Sequence, residues 1–160
     1  RLKGVESEYE KPSIGTLEYL VFDKITKFND GSNIYSGVGL QGERVQRKIQ
    51  NVLNGYASGA TGKILVLLDN TSFGTADYGL CLTEKEFFYK MRILDDGRDS
   101  FSVKLEDIYK VDARDADDDY PYIKINKTEL PFDHDIRRFM KALVACLDEH
   151  IKERRAKTQS

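Results

Sequence analysis

Residues 63–132 hold seven short apolar or alternating segments, with turn formers or charged residues between them spaced too closely for a helix of ordinary length. They read KILVLLD (63–69), YGLCLT (78–83), EFFYKMRIL (86–94), SFSVKL (100–105), DIYKVDA (107–113), YPYIKIN (120–126) and TELPF (128–132), with DDGRDS (95–100) as a turn. A parallel sheet needs a crossover of a dozen or more residues between neighbouring strands, so this punctuation predicts a curled antiparallel sheet. The period then changes. Ile136, Phe139, Met140, Leu143, Val144, Leu147 and Ile151 fall on one face of a helix that Asp133 is placed to cap. Arg137, Arg138, Lys141, Glu149 and Lys152 fall on the opposite, wet face, and the basic end KERRAKTQS (152–160) is expected to fray.

Upstream, residues 1–16 mix charge with Gly, Pro and Ser and read as an arm. TLEYLVF (16–22) reads as a strand, KITKF (24–28) as a second, and NDGSN (29–33) as a turn. From Glu43 onward Val45, Ile49, Val52, Leu53 and Tyr56 keep helical spacing until Gly55 and Gly59, which predicts an amphipathic helix over 43–57. Its stripe is expected to pack on the sheet or on a neighbouring subunit.

Just before that helix stands GVGLQG (37–42), whose Gly37, Gly39 and Gly42 have the spacing of the dinucleotide fingerprint. Asp69 follows roughly where such a site places its ribose-binding acid. Two features oppose a nucleotide site. NDGSNIYS offers no buried strand ahead of the glycines, and residues 70–132 leave no room for further crossover helices. The glycines therefore read as a lead into the helix, and no cofactor is expected.

The charge balance narrows the partners. A net charge of -2 provides no general electrostatic footprint for nucleic acid or an anionic bilayer. Cys81 and Cys146 lie inside apolar patterns and read as buried free thiols, which suits a reducing, cytoplasmic setting. No run approaches the roughly 20 apolar residues of a membrane span. The chain opens on Arg1, so upstream sequence could be missing.

Two constellations invite chemistry. Asp115, Asp117 and Asp119 copy the first three ligand positions of a calcium loop, but Tyr120 and Pro121 stand where that loop turns sharply and Asn126 replaces its final Glu. A solvated acidic loop is the better reading. Cys81 with His134 or His150 could pair as nucleophile and base, yet Cys81 sits between Leu80 and Leu82, where burial raises a thiol pKa. His150, near a helix C-terminus, is placed where positive charge is favourable. No catalytic residue and no metal site is assigned.

The order of seven short strands and one amphipathic helix resembles the pleckstrin-homology-like plan over residues 63–153. ILVLLDNTSFGTADYGLCLTEKEFFYK is similar to the first three strands of bacterial members, with an FG turn and a hairpin in which Thr83 ends one strand and Phe87, Phe88 and Tyr89 begin the next. VKLEDIYKVD resembles the link between their fourth and fifth strands, anchored by Leu105 and Ile108. The resemblance implies an α+β fold: a seven-stranded antiparallel barrel stoppered by the C-terminal helix, here preceded by the helix at 43–57. It divides the chain into an N-terminal arm and helix (1–60), the barrel domain (61–155) and a frayed tail (156–160).

It further implies a non-enzymatic bacterial cytoplasmic module that binds a protein partner or a second copy of itself. Phosphoinositide-binding members place bases in the loop joining the first two strands. Here DNTSFGTADYG holds acids and no base, so neither phosphoinositide nor membrane binding is expected. The sheet edge and the groove beside the last helix are the expected docking places. A second reading is an inhibitor or immunity-type protein whose acidic loop meets a basic enzyme. Candidate partner contacts are Asp115, Asp117, Asp118 and Asp119 with Arg137 and Lys141. A nucleotide-binding enzyme using residues 37–42 ranks last.

Overall fold

The computed structural model of the protein describes residues 10–29, 33–71, 74–91 and 100–159. Among these the chain is α+β, with eight antiparallel strands in two sheets. The larger sheet carries β1 (Ile34–Ser36), β2 (Ile64–Asp69), β3 (Gly79–Thr83), β4 (Glu86–Lys90) and β5 (Phe101–Lys104), side by side in chain order. The smaller carries β6 (Val111–Asp112), β7 (Tyr122–Ile125) and β8 (Thr128–Pro131). The helices are α1 (Leu17–Lys24), α2 (Glu43–Asn54) and α3 (Arg137–Gln159).

All seven strands expected over 63–132 form, several of them shortened, and β1 is an eighth. Among the described residues no strand pairing joins the two sheets into a closed barrel. The turn expected at 95–100 lies, Ser100 apart, outside the described residues, as does the middle of NDGSN.

The continuous apolar runs of β2 to β4 have a direct cause. An antiparallel sheet usually keeps one face wet, and then only alternate residues are apolar. Here both faces are covered. Val66, Leu68, Leu80, Leu82, Phe87 and Tyr89 belong to the main core with α1, α3 and the small sheet, while Leu67, Cys81 and Phe88 pack under Val45, Ile49 and Val52 of α2. The helix read at 43–57 is thus seated on the sheet.

TLEYLVF is corrected from strand to helix. Its aromatic and branched residues favour extended chain, but Leu17, Leu20 and Val21 also fit the i, i+3, i+4 period, and α3 offers an apolar face for them. Thr16 caps the helix by accepting the Tyr19 N–H at 3.1 Å. KITKF becomes a single 3-10 turn over Thr26–Phe28, with the Phe28 ring edge-on to Phe139 at 5.7 Å between centroids. At the other end α3 runs to Gln159, through the stretch expected to fray. Arg154 donates to the Ile108 carbonyl at 2.7 Å and Arg155 to that of Tyr109 at 2.6 Å, tying the last turns to the β5–β6 link. Asp133 caps a preceding 3-10 turn, His134–Ile136, without a side-chain hydrogen bond.

Candidate functional site

The glycine stretch serves the backbone. A short strand does precede it, contrary to the sequence expectation, because β1 ends at Ser36. That strand pairs antiparallel with β2, Tyr35 opposite Leu67, so there is no parallel unit to cradle a pyrophosphate. Gly37 has a φ of 55°, a conformation that suits glycine, and there the chain peels away from β2 into a 3-10 turn. At Gly39 an added Cβ would stand 2.8 Å from Asn29 Oδ1. Asn29 needs that closeness: its Oδ1 accepts from Ser36 N–H at 2.9 Å while its Nδ2 donates to Ser36 O at 2.7 Å.

Asp69 is likewise engaged. Its side chain is buried with that of Lys48, at 0% and 3% exposure, in an ion pair between Lys48 Nζ and Asp69 Oδ2. Lys48 also donates to the Gly74 carbonyl at 2.9 Å and lies 5.7 Å from the Tyr35 ring centroid. The other carboxylate oxygen accepts from Thr71 N–H at 3.0 Å and Ala76 N–H at 3.2 Å. Burial pushes the Asp69 pKa up, but the hydrogen bonds from Lys48 and Thr71 outweigh it and hold the carboxyl below its ordinary value. One lysine of α2 therefore fixes the end of β2 and the middle of the β2–β3 loop, and Asn51 adds a bond to Thr75 O at 2.9 Å. The loop has no base of its own; its cation comes from a helix 21 residues upstream and is committed inward.

Beside α2 opens a cleft of about 450 Å³. Val21 and Phe22 of α1, Leu40, Ile49 and Leu53 wall it with Ile64 and Leu65, while Glu18 and Lys63 pair across its rim at 3.2 Å. The cleft exists because β1 leaves early. Its last pair is Ser36 with Val66, so β2 extends over Ile64 and Leu65 with β3 on one side and, among the described residues, no strand on the other.

The remaining chemistry-bearing groups are mostly in local service. Glu86 clamps the 61–62 turn, accepting from Thr61 N–H at 2.9 Å, Gly62 N–H at 3.3 Å and the Thr83 hydroxyl. Burial raises its pKa, but these bonds prevail and lower it. His150 is held below its ordinary pKa by partial burial and by Arg154 and Lys157, so the favourable charge expected at that helix end is not what surrounds it. Cys81 and Cys146 are free and buried, each thiol pushed up to about 12 chiefly by burial. At pH 8 the native protein should resist iodoacetamide for hours while both thiols react at once in denaturant. Rapid native labelling of Cys81, read by mass spectrometry, would contradict the burial.

The acidic loop and α3 turn out to meet each other. Asp117, ending a 3-10 turn over Arg114–Asp117, pairs with Lys141 and, at 3.6 Å, with Arg137. Asp115 is half-buried, whereas Asp118 and Asp119 are exposed. Three of the six candidate contact residues thus neutralise one another. A separate concavity of about 310 Å³ lies on the small sheet among Lys110, Arg114, Lys124 and Lys127. Sequence reasoning singled out neither this nor Lys48. The only hint of Lys48 was a lysine at i+3 from Val45, on the flank of the apolar stripe. No protein-family model, curated protein or solved structure matches this chain.

Proposed function

We propose that the chain is a non-enzymatic protein-binding module of pleckstrin-homology-like plan, working in a reducing cytoplasm, and that it takes an extended apolar segment of a partner protein in the cleft beside α2. The plan is supported by β2 to β8 followed directly by α3, which repeats the seven-strand and helix order, with α1, β1 and α2 added ahead of it. One observation carries the binding reading: an apolar cleft in which, among the described residues, the edge of β2 at Ile64 and Leu65 has no neighbouring strand. Such an edge accepts an added strand through main-chain hydrogen bonds, and flanking apolar walls receive its alternate side chains.

A photo-crosslinking residue in place of Leu53, inside the cleft, is compared in native cells with the same residue in place of the exposed Arg138. The expected result is one dominant adduct from position 53 alone, mapping to an extended apolar segment of another protein. The same adducts from both positions, or none from position 53, would sink the reading. An adduct with a second copy of the chain would replace the partner by a homo-oligomer.

A further inference from the structure

We infer that the outer face of the small sheet is a second binding surface, selective for an acidic extended segment of a partner protein. The inference deepens the binding-module reading by naming the chemistry of a partner, at a surface separate from the cleft.

The alternation of the small sheet decides which side chains face out. Val111, Ile123, Ile125 and Leu130 are buried in the main core, so Lys110, Asp112 and Lys124 point the other way. Lys127 from the β7–β8 turn and Arg114 from the β6–β7 connection complete a concavity with four cations and one carboxylate, in a chain whose net charge is -2. That carboxylate is already engaged: Asp112 accepts from Arg114 N–H at 2.9 Å and from its Nε at 2.7 Å. Lys124 reaches Glu129 only at 3.9 Å, and among the described residues neither Lys110 nor Lys127 lies in an ion pair.

The floor is rigid. Asn126 holds a φ of 56°, accepts from Tyr109 N–H at 2.8 Å and donates to Asp107 O at 3.1 Å. Lys110 and Lys127 are therefore set on a fixed frame before any ligand arrives, which limits the ordering cost of binding. Tyr109 stands at the rim, 50% exposed and one of three large hydrophobic residues so exposed among those described.

Size and topology favour a peptide over a polyanion. A nucleic acid is gripped by a track of cations along its phosphates, whereas this concavity of about 310 Å³ gathers its cations at one short place. β6 is moreover an edge strand of its sheet, so an extended chain can lie along it with its acids over the lysines.

The test is fluorescence anisotropy with a labelled octaglutamate peptide at 50 and 300 mM salt. Saturable binding is expected at the lower salt, weakening at the higher as screened contacts do. Lys110→Glu with Lys127→Glu should weaken it by about tenfold or more, and the milder Lys110→Gln with Lys127→Gln by less. Lys152→Glu, an exposed reversal on α3, should leave it unchanged. This binding is read apart from the crosslinking at position 53, so failure here and failure of the cleft reading are distinguishable. Absence of binding at 50 mM salt, equal loss in the Lys152 variant, or tighter binding of a ten-nucleotide oligothymidylate or of phosphatidylserine vesicles would overturn the inference.

Discussion

Lys48→Met is expected to cost about 3–5 kcal/mol of folding stability at neutral pH, although the methionine keeps much of the lysine's apolar stem. The loss comes from what stays behind. Asp69 would remain buried with bonds from Thr71 and Ala76 but no compensating charge, and the Gly74 carbonyl would lose its donor. A paired group whose removal strands a buried charge is costly to lose even where the intact pair adds little net stability.

The pH dependence gives a sharper test. In the native protein the Asp69 pKa lies below its unfolded value near 3.9, so its contribution is complete above that value and fades as pH falls through the folded one. In Lys48→Met burial dominates and the shift reverses sign. The deficit of the variant should then be greatest at neutral pH and shrink as pH falls toward about 4, because the raised pKa lets Asp69 take up its proton in the folded variant before it does so in the unfolded chain. Asp69→Asn added to Lys48→Met should recover part of the loss, because an amide oxygen still accepts from Thr71 and Ala76 without a charge. Urea unfolding at pH 7 and pH 3.5 measures all three. A single variant within about 1 kcal/mol of the native protein at pH 7 would mean the pair is solvated.

The second large effect is expected at Gly79, where β3 begins opposite Asp69. Its φ is 149°, and a Cβ there would stand 1.9 Å from the Leu68 carbonyl oxygen and 2.9 Å from its carbon. Both are backbone atoms of a strand paired on both sides, so no side chain can swing away. Gly79→Ala should combine backbone strain of about 1–3 kcal/mol with overpacking of similar size, for a loss of at least about 3 kcal/mol. Since it would part β2 from β3 beside the Lys48–Asp69 pair, amide exchange should accelerate first around residues 67–71 and 78–81. Gly59→Ala, where a Cβ meets nothing within 4 Å, is the control and should lie within about 0.5 kcal/mol of the native protein. A Gly79 variant as stable as that control would contradict the register of β2 and β3.

These two positions mark where the sequence was readable. The strand at 79–83 and the turn before it follow from local composition, and so do α2 and α3 from the period of their apolar residues. Even the burial of Cys81 could be read from Leu80 and Leu82 on either side. The chain's own letters therefore determined seven strands, two helices, their order and the antiparallel sense forced by short connections.

Other features needed the assembled molecule. LEYLVF suits strand or helix about equally, and it became α1 because α3 presented an apolar face at the right distance. The length of β1 was set by where Gly37 leaves β2, and with it the cleft. Lys48 meets Asp69 across 21 residues, Glu86 meets Thr61 across 25, and Asp117 meets Lys141 across 24, pairings that no local window contains. Periodicity is a property of neighbours along the chain, while charge pairing, open edges and cavities depend on which distant surfaces packing brings together.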